Sequence, residues 1–119
     1  MISTEFAQAF AREWIDSWNS RNLDRILSLC ADDIEVISPF VTDLMQELSG
    51  TLKGKENIRP YWAKVLERFP DLHLKLLDVL IGVDSITVYH QGVHGKRVAE
   101  VFYFDGNRQA LRDIAHYTP

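Results

Sequence analysis

A chain of 119 residues suits a single domain, residues 1–119, with one core, and 46% hydrophobic against 25% charged residues leaves no low-complexity or disordered stretch. A net charge of −4 without a basic stripe argues against a phosphate-backbone partner, so no nucleic-acid role is expected. The first residues form neither a basic nor an apolar leader and no run is long enough to span a bilayer, which predicts no membrane partner and a cytoplasmic location.

Phe6, Phe10, Trp14 and Trp18 recur every four residues beside Ala7, Ala11 and Ile15, the stripe of an amphipathic helix that Ser3 or Thr4 can cap. Asn22 can cap a second, shorter helix carrying Leu23, Ile26, Leu27 and Cys30 inward. The lone Cys30 excludes an intramolecular disulfide and reads as a small buried hydrophobe. Asp32-Asp33 breaks this pattern, and Ile34 to Ser38 alternates up to Pro39, which suits a strand at a sheet edge. Phe40 to Lys53 is too apolar for an idle loop and too interrupted for a long helix, so it is expected to be a loop with one helical turn folded over an opening. Gly54-Lys55-Glu56-Asn57 starts a third helix with Ile58, Trp62, Val65, Leu66 and Phe69 inward, Pro60 near its start and Pro70 at its stop.

From Asp71 on the signals are β: Leu72 to Ile81, Ile86 to Val93, Val98 to Phe104 and Ala110 to Tyr117, with turns between. Helices followed by antiparallel strands make an α+β domain, the helices packed on one side of a curved sheet. The strands are apolar on both faces, so a homodimer through the outer sheet face is expected.

Glu100 is the residue that needs a reason. It shares one side of its strand with Val98 and Phe102, where a carboxylate must be paired, protonated or facing a wetted cavity. If the last turn spans Asp105 to Gln109, Ile114 and His116 fall beside it and a Glu–His acid-base pair results. A slip of one residue would bring Asp113 inward instead and make a carboxylate pair. A two-residue turn at His94-Gly95 would set Tyr89 opposite Glu100, and a three-residue turn would set His90 there. Arg112 is a further possible partner. The tryptophans are core residues by spacing, yet Trp14, Trp18, Phe40, Tyr61, Trp62 and Phe102 sit on converging elements and would line a flat slot for an apolar or ring-bearing ligand. No metal-ligand spacing, phosphate loop or nucleophile elbow occurs, so neither metal nor cofactor is expected.

Helix, helix, a short strand ending Ser38-Pro39-Phe40, Gly54-Lys55-Glu56 before a third helix with Tyr61-Trp62-Ala63, then a four-strand meander through Ala99-Glu100-Val101 to His116-Tyr117: this order resembles the SnoaL-like branch of the nuclear transport factor 2-like superfamily over nearly the whole chain. Trp14-Ile15-Asp16-Ser17-Trp18-Asn19 and Ala31-Asp32-Asp33 share in it. The resemblance implies a cystatin-like cone, with three N-terminal helices in a strongly curved, mainly antiparallel sheet around an internal pocket. It also implies a small-molecule pocket in a dimeric protein, with little said of chemistry, because such cones host isomerases, cyclases, dehydratases, hydrolases and non-enzymatic binders. Against the ketosteroid isomerases of the superfamily, the general-base aspartate falls on Ser38, the oxyanion tyrosine on Trp14, and its supporting tyrosines on Cys30 and Trp62. Only their second acid has a counterpart, Glu100. Serine has no basic form near neutral pH, so that isomerase mechanism is not expected here. The expected catalytic pair is Glu100 with His116, and the expected ligand contacts are Trp14, Trp18, Ser38, Phe40, Tyr61, Trp62, Tyr89, His90, Phe102 and Ile114. The rival expectation is a non-catalytic binding or association module.

Overall fold

Ser3 opens the first helix: its hydroxyl accepts the Phe6 N–H at 3.1 Å, satisfying one of the free donors of α1 (Thr4–Ser20). The computed structural model describes all of residues 1–119. α1 buries its aromatic stripe and ends where Arg21 turns left-handed, φ 59°, and donates its N–H to the Trp18 carbonyl. Asn22 caps α2 (Leu23–Leu27) by accepting the Arg25 N–H at 3.1 Å. That helix is shorter than expected. Cys30 is not on it but opens β1 (Cys30–Ile37), because the backbone there pairs with Ala110. β1 runs on through Asp32-Asp33, whose side chains are exposed, with a shift of register between Cys30 and Glu35.

The stretch expected to be a loop with one helical turn contains a longer helix and a strand. Ser38 caps α3 (Pro39–Met45) by accepting the Phe40 N–H at 3.2 Å, and Pro39 fills a first-turn position whose missing N–H costs nothing. β2 (Thr51–Lys53) then pairs antiparallel with β1 and takes the sheet edge, so β1 is not an edge strand. Pro39 marked a helix start, not a free edge. Gly54, at φ 86°, admits the turn into α4 (Lys55–Arg68), and its N–H donates to the Ile34 carbonyl at 2.8 Å, tying helix to strand. α4 buries Ile58, Tyr61, Trp62 and Leu66.

β3 (Lys75–Ile81), β4 (Ser85–Gln91), β5 (Arg97–Phe104) and β6 (Ala110–Tyr117) form the meander. The six strands order as β2-β1-β6-β5-β4-β3, antiparallel except where β1 meets β6. The fold is α+β, with four helices rather than three against a curled, unclosed sheet. Inner-face residues alternate strictly on β4 (Ile86, Val88, His90) and β5 (Val98, Glu100, Phe102), all buried. Phe102 packs edge-on against Phe10 at 4.9 Å and Trp14 at 4.7 Å, and this joins α1 to the sheet centre. No helix is long and apolar enough to cross a membrane.

Candidate functional site

The side chains around Glu100 are set by the two connections that flank β5. Gln91 pairs with Arg97, so Gly92 to Lys96, containing a 3-10 turn at Val93–Gly95, form the β4–β5 link. That link is longer than either turn expected from the sequence. Val88 therefore lies opposite Glu100, His90 opposite Val98, and Tyr89 turns to the outer face. On the other side the last turn does span Asp105 to Gln109, with Phe104 paired to Ala110. Tyr103, however, pairs with Arg112, so Leu111 is an extra residue, a bulge. Every later side chain of β6 is shifted by one. Asp113, Ala115 and Tyr117 face inward opposite Phe102, Glu100 and Val98, while Ile114 and His116 face outward.

His116 is thus not the partner of Glu100; it is exposed, and its Nδ1 meets the Ala99 carbonyl at 3.2 Å. Arg112 is outside as well, in an ion pair with Glu35 at 3.0 Å. The partners of Glu100 are diagonal neighbours and a helix residue. His90 Nε2 donates to Glu100 Oε1 at 3.0 Å, Trp14 Nε1 donates to the same oxygen at 3.1 Å, and the Asp113 carboxyl lies close enough to share a proton. Glu100 is 8% exposed, His90 4% and Asp113 2%.

Two carboxyls in one dry place cannot both ionise. For Glu100, burial opposes ionisation, but hydrogen bonds from His90, Asp113 and Trp14 outweigh it and hold this carboxyl below the usual range. For Asp113, burial comes first and the negative charge of Glu100 second, and both push it well above the usual range. Both effects favour the proton on Asp113. The environment makes an acid of one carboxyl and a carboxylate of the other, the division that acid-base sites use.

This cluster forms part of the wall of a cavity of about 60 Å³, space for on the order of four waters. Of the residues expected in a pocket, Trp14, Trp18 and Trp62 line it, as do Tyr61, Phe40 and Ser38. His90 and Glu100 complete that set. Four do not line it. Phe102 shares the inner face but is fully buried in the packing beneath, against Phe10 and Trp14. Tyr89, Ile114 and His116 are on the outer face, for the reasons of loop length and bulge just given. Asp113, Tyr117 and Val98 are lining residues absent from the expected set; Asp113 belonged to the alternative register. The hydroxyls of Tyr61 and Tyr117 lie beside that of Ser38, and burial pushes both phenols upward, keeping them neutral donors. Burial likewise raises the Cys30 thiol, which disfavours a thiolate.

The comparison with known proteins agrees with this architecture. Residues 11–118 match the SnoaL-like domain. The chain belongs to the SnoaL-like family. A SnoaL-like protein of unknown function from Burkholderia thailandensis is 43% identical, with 99% of this chain and 98% of that one covered and a TM-score of 0.95. AclR, a proposed hydroxylase from Streptomyces galilaeus, is 15% identical over 98% of this chain and 81% of its own, with a TM-score of 0.74. A proposed ketosteroid isomerase from Kribbella flavida is 20% identical over 98% and 80%, with a TM-score of 0.70. The last two likenesses establish the fold alone. Among curated proteins there is no match.

Proposed function

We propose that this SnoaL-like domain binds a small apolar or ring-bearing molecule in the cavity and moves protons on it without a cofactor, by isomerisation, cyclisation, dehydration or hydrolysis. The observation that carries this reading is the buried carboxyl pair on adjacent strands, Glu100 and Asp113, both on the cavity wall, with His90 and Trp14 donating to Glu100. Glu100, oriented by His90 and Trp14, is the base; Asp113 is the acid; the Tyr61 and Tyr117 hydroxyls are further donors for a developing charge. Walls of tryptophan, phenylalanine and aliphatic carbon suit an apolar body, and the small volume suits a compact one. Phe40 to Leu52, with α3, covers the opening and would move to admit anything larger. A second copy of the chain covers the outer sheet face, where Tyr89, Val101 and Ile114 are only half-buried.

A second reading has its own observation in favour. Glu100 already has two direct donors, and a fully engaged carboxylate also describes a structural network in a non-catalytic binding module. The test is deuterium uptake from heavy water into a panel of small cyclic ketones and ring amines with acidic C–H bonds. Catalysis predicts exchange that falls by about a hundredfold or more in Glu100→Gln and in Asp113→Asn, with the fold kept by circular dichroism. Exchange no faster than solvent in the native protein, with ligands still bound, would establish the binding module instead.

A further inference from the structure

We propose that the occupant of this cavity is a small organic cation, an ammonium group on an apolar or ring-bearing body, received by Glu100, Asp113 and His90 within an aromatic wall. This rests on the reading of the cavity as a ligand site and names the charge of the ligand.

Three features of the wall point the same way. Its ionisable residues include two carboxyls, Glu100 and Asp113, and none of the lining residues is Lys or Arg. An anion placed there would meet a carboxylate with no counter-charge to offset it. Six of the lining residues, Trp14, Trp18, Phe40, Tyr61, Trp62 and Tyr117, are aromatic, and the faces of such rings attract cations, tryptophan most strongly.

The third feature is independent of the other two. Two side-chain atoms in the wall residues are buried without any hydrogen-bond partner, His90 Nδ1 and Asp113 Oδ1, on residues only 4% and 2% exposed. Unpartnered polar atoms in such a place are costly, so a site retains them when something else satisfies them. The geometry says what kind of group that is. Glu100 Oε1 is an acceptor, so His90 Nε2 carries the hydrogen toward it. Asp113 Oδ1 is a carboxyl oxygen close to the Glu100 carboxyl, a place that favours a positive group over a carboxylate.

The decisive experiment is a titration of the native protein, followed at the Trp14 Nε1–H resonance, with three compounds of similar size and shape: tetramethylammonium, tert-butanol and pivalate. The expected result is that tetramethylammonium binds about tenfold or more tightly than tert-butanol and that pivalate does not bind. Glu100→Gln should bring tetramethylammonium down to the affinity of tert-butanol, with folding checked by circular dichroism. Should that variant not fold, Trp62→Leu should lower the preference for the cation severalfold by thinning the aromatic wall. Equal affinity for the cation and the alcohol, or tightest binding of pivalate, overturns the charge assignment and leaves the cavity as a ligand site. Failure of all three to bind removes the ligand site with it.

Discussion

Two carboxylate pairs on this sheet have the same length and live in different worlds. Glu100 and His90 are 3.0 Å apart on the inner face, with side chains 11% and 5% exposed. Glu35 and Arg112 are 3.0 Å apart on the outer face, with side chains 31% and 44% exposed. In water the second pair exchanges one set of strong hydrogen bonds for another, and salt screens what remains. The first pair was stripped of water when the chain folded, so each member depends on the other. Distance is shared; dependence is not.

The widest break in the comparison is Glu100→Ala. It leaves His90 and the Trp14 indole buried without an acceptor, and the loss expected in urea unfolding is about 3–5 kcal/mol. Trp14→Phe keeps most of the packing and deletes one donor to Glu100, for an expected loss of about 1–3 kcal/mol in the same measurement. A stability equal to that of the native protein would show that the indole bond contributes nothing.

Asp113→Asn separates the two faces by pH rather than by size. A carboxyl raised in the folded state contributes stability that is complete at low pH and is lost as pH rises through its folded value; Asp113 is of this kind. Glu100, lowered in the folded state, behaves oppositely and loses its contribution as pH falls. The native protein should therefore lose stability through Asp113 as pH rises above the ordinary carboxylate range, about pH 4, toward the raised folded value. The asparagine variant should not, so the difference in melting temperature grows in its favour over that rise. Parallel curves would mean that Asp113 is not the protonated partner. Least of all, Arg112→Ala on the outer face should cost no more than about 1 kcal/mol by thermal unfolding, and less in high salt.

Much of this arrangement is legible in the chain. The four-residue recurrence from Phe6 to Trp18 identifies the helix that fills the concave side, and the alternation around Glu100 sets that carboxyl on the same side as Val98 and Phe102, which the fold buries. What could not be read is parity. A strand reports which of its residues share a side but not which side, and one extra residue reverses the answer. Leu111 is that residue on β6, and nothing in Ala110-Leu111-Arg112 distinguishes a bulge from a regular ladder. Both sides of that strand mix apolar and polar groups, so hydrophobic patterning does not arbitrate between Asp113 and His116. α3 was obscured for a different reason: a short helix is fixed by its cap and by what it covers, not by a long periodicity. Ser38-Pro39 is the available signal, and it ends a strand and starts a helix at once.

All three tryptophans of the protein, Trp14, Trp18 and Trp62, stand in the cavity wall. The indole fluorescence of the unmodified chain therefore originates entirely at the site. Trp14, touching the Glu100 carboxylate, will change colour or dim when a guest enters or the local charge changes, so the protein carries its own optical readout for every titration it will need.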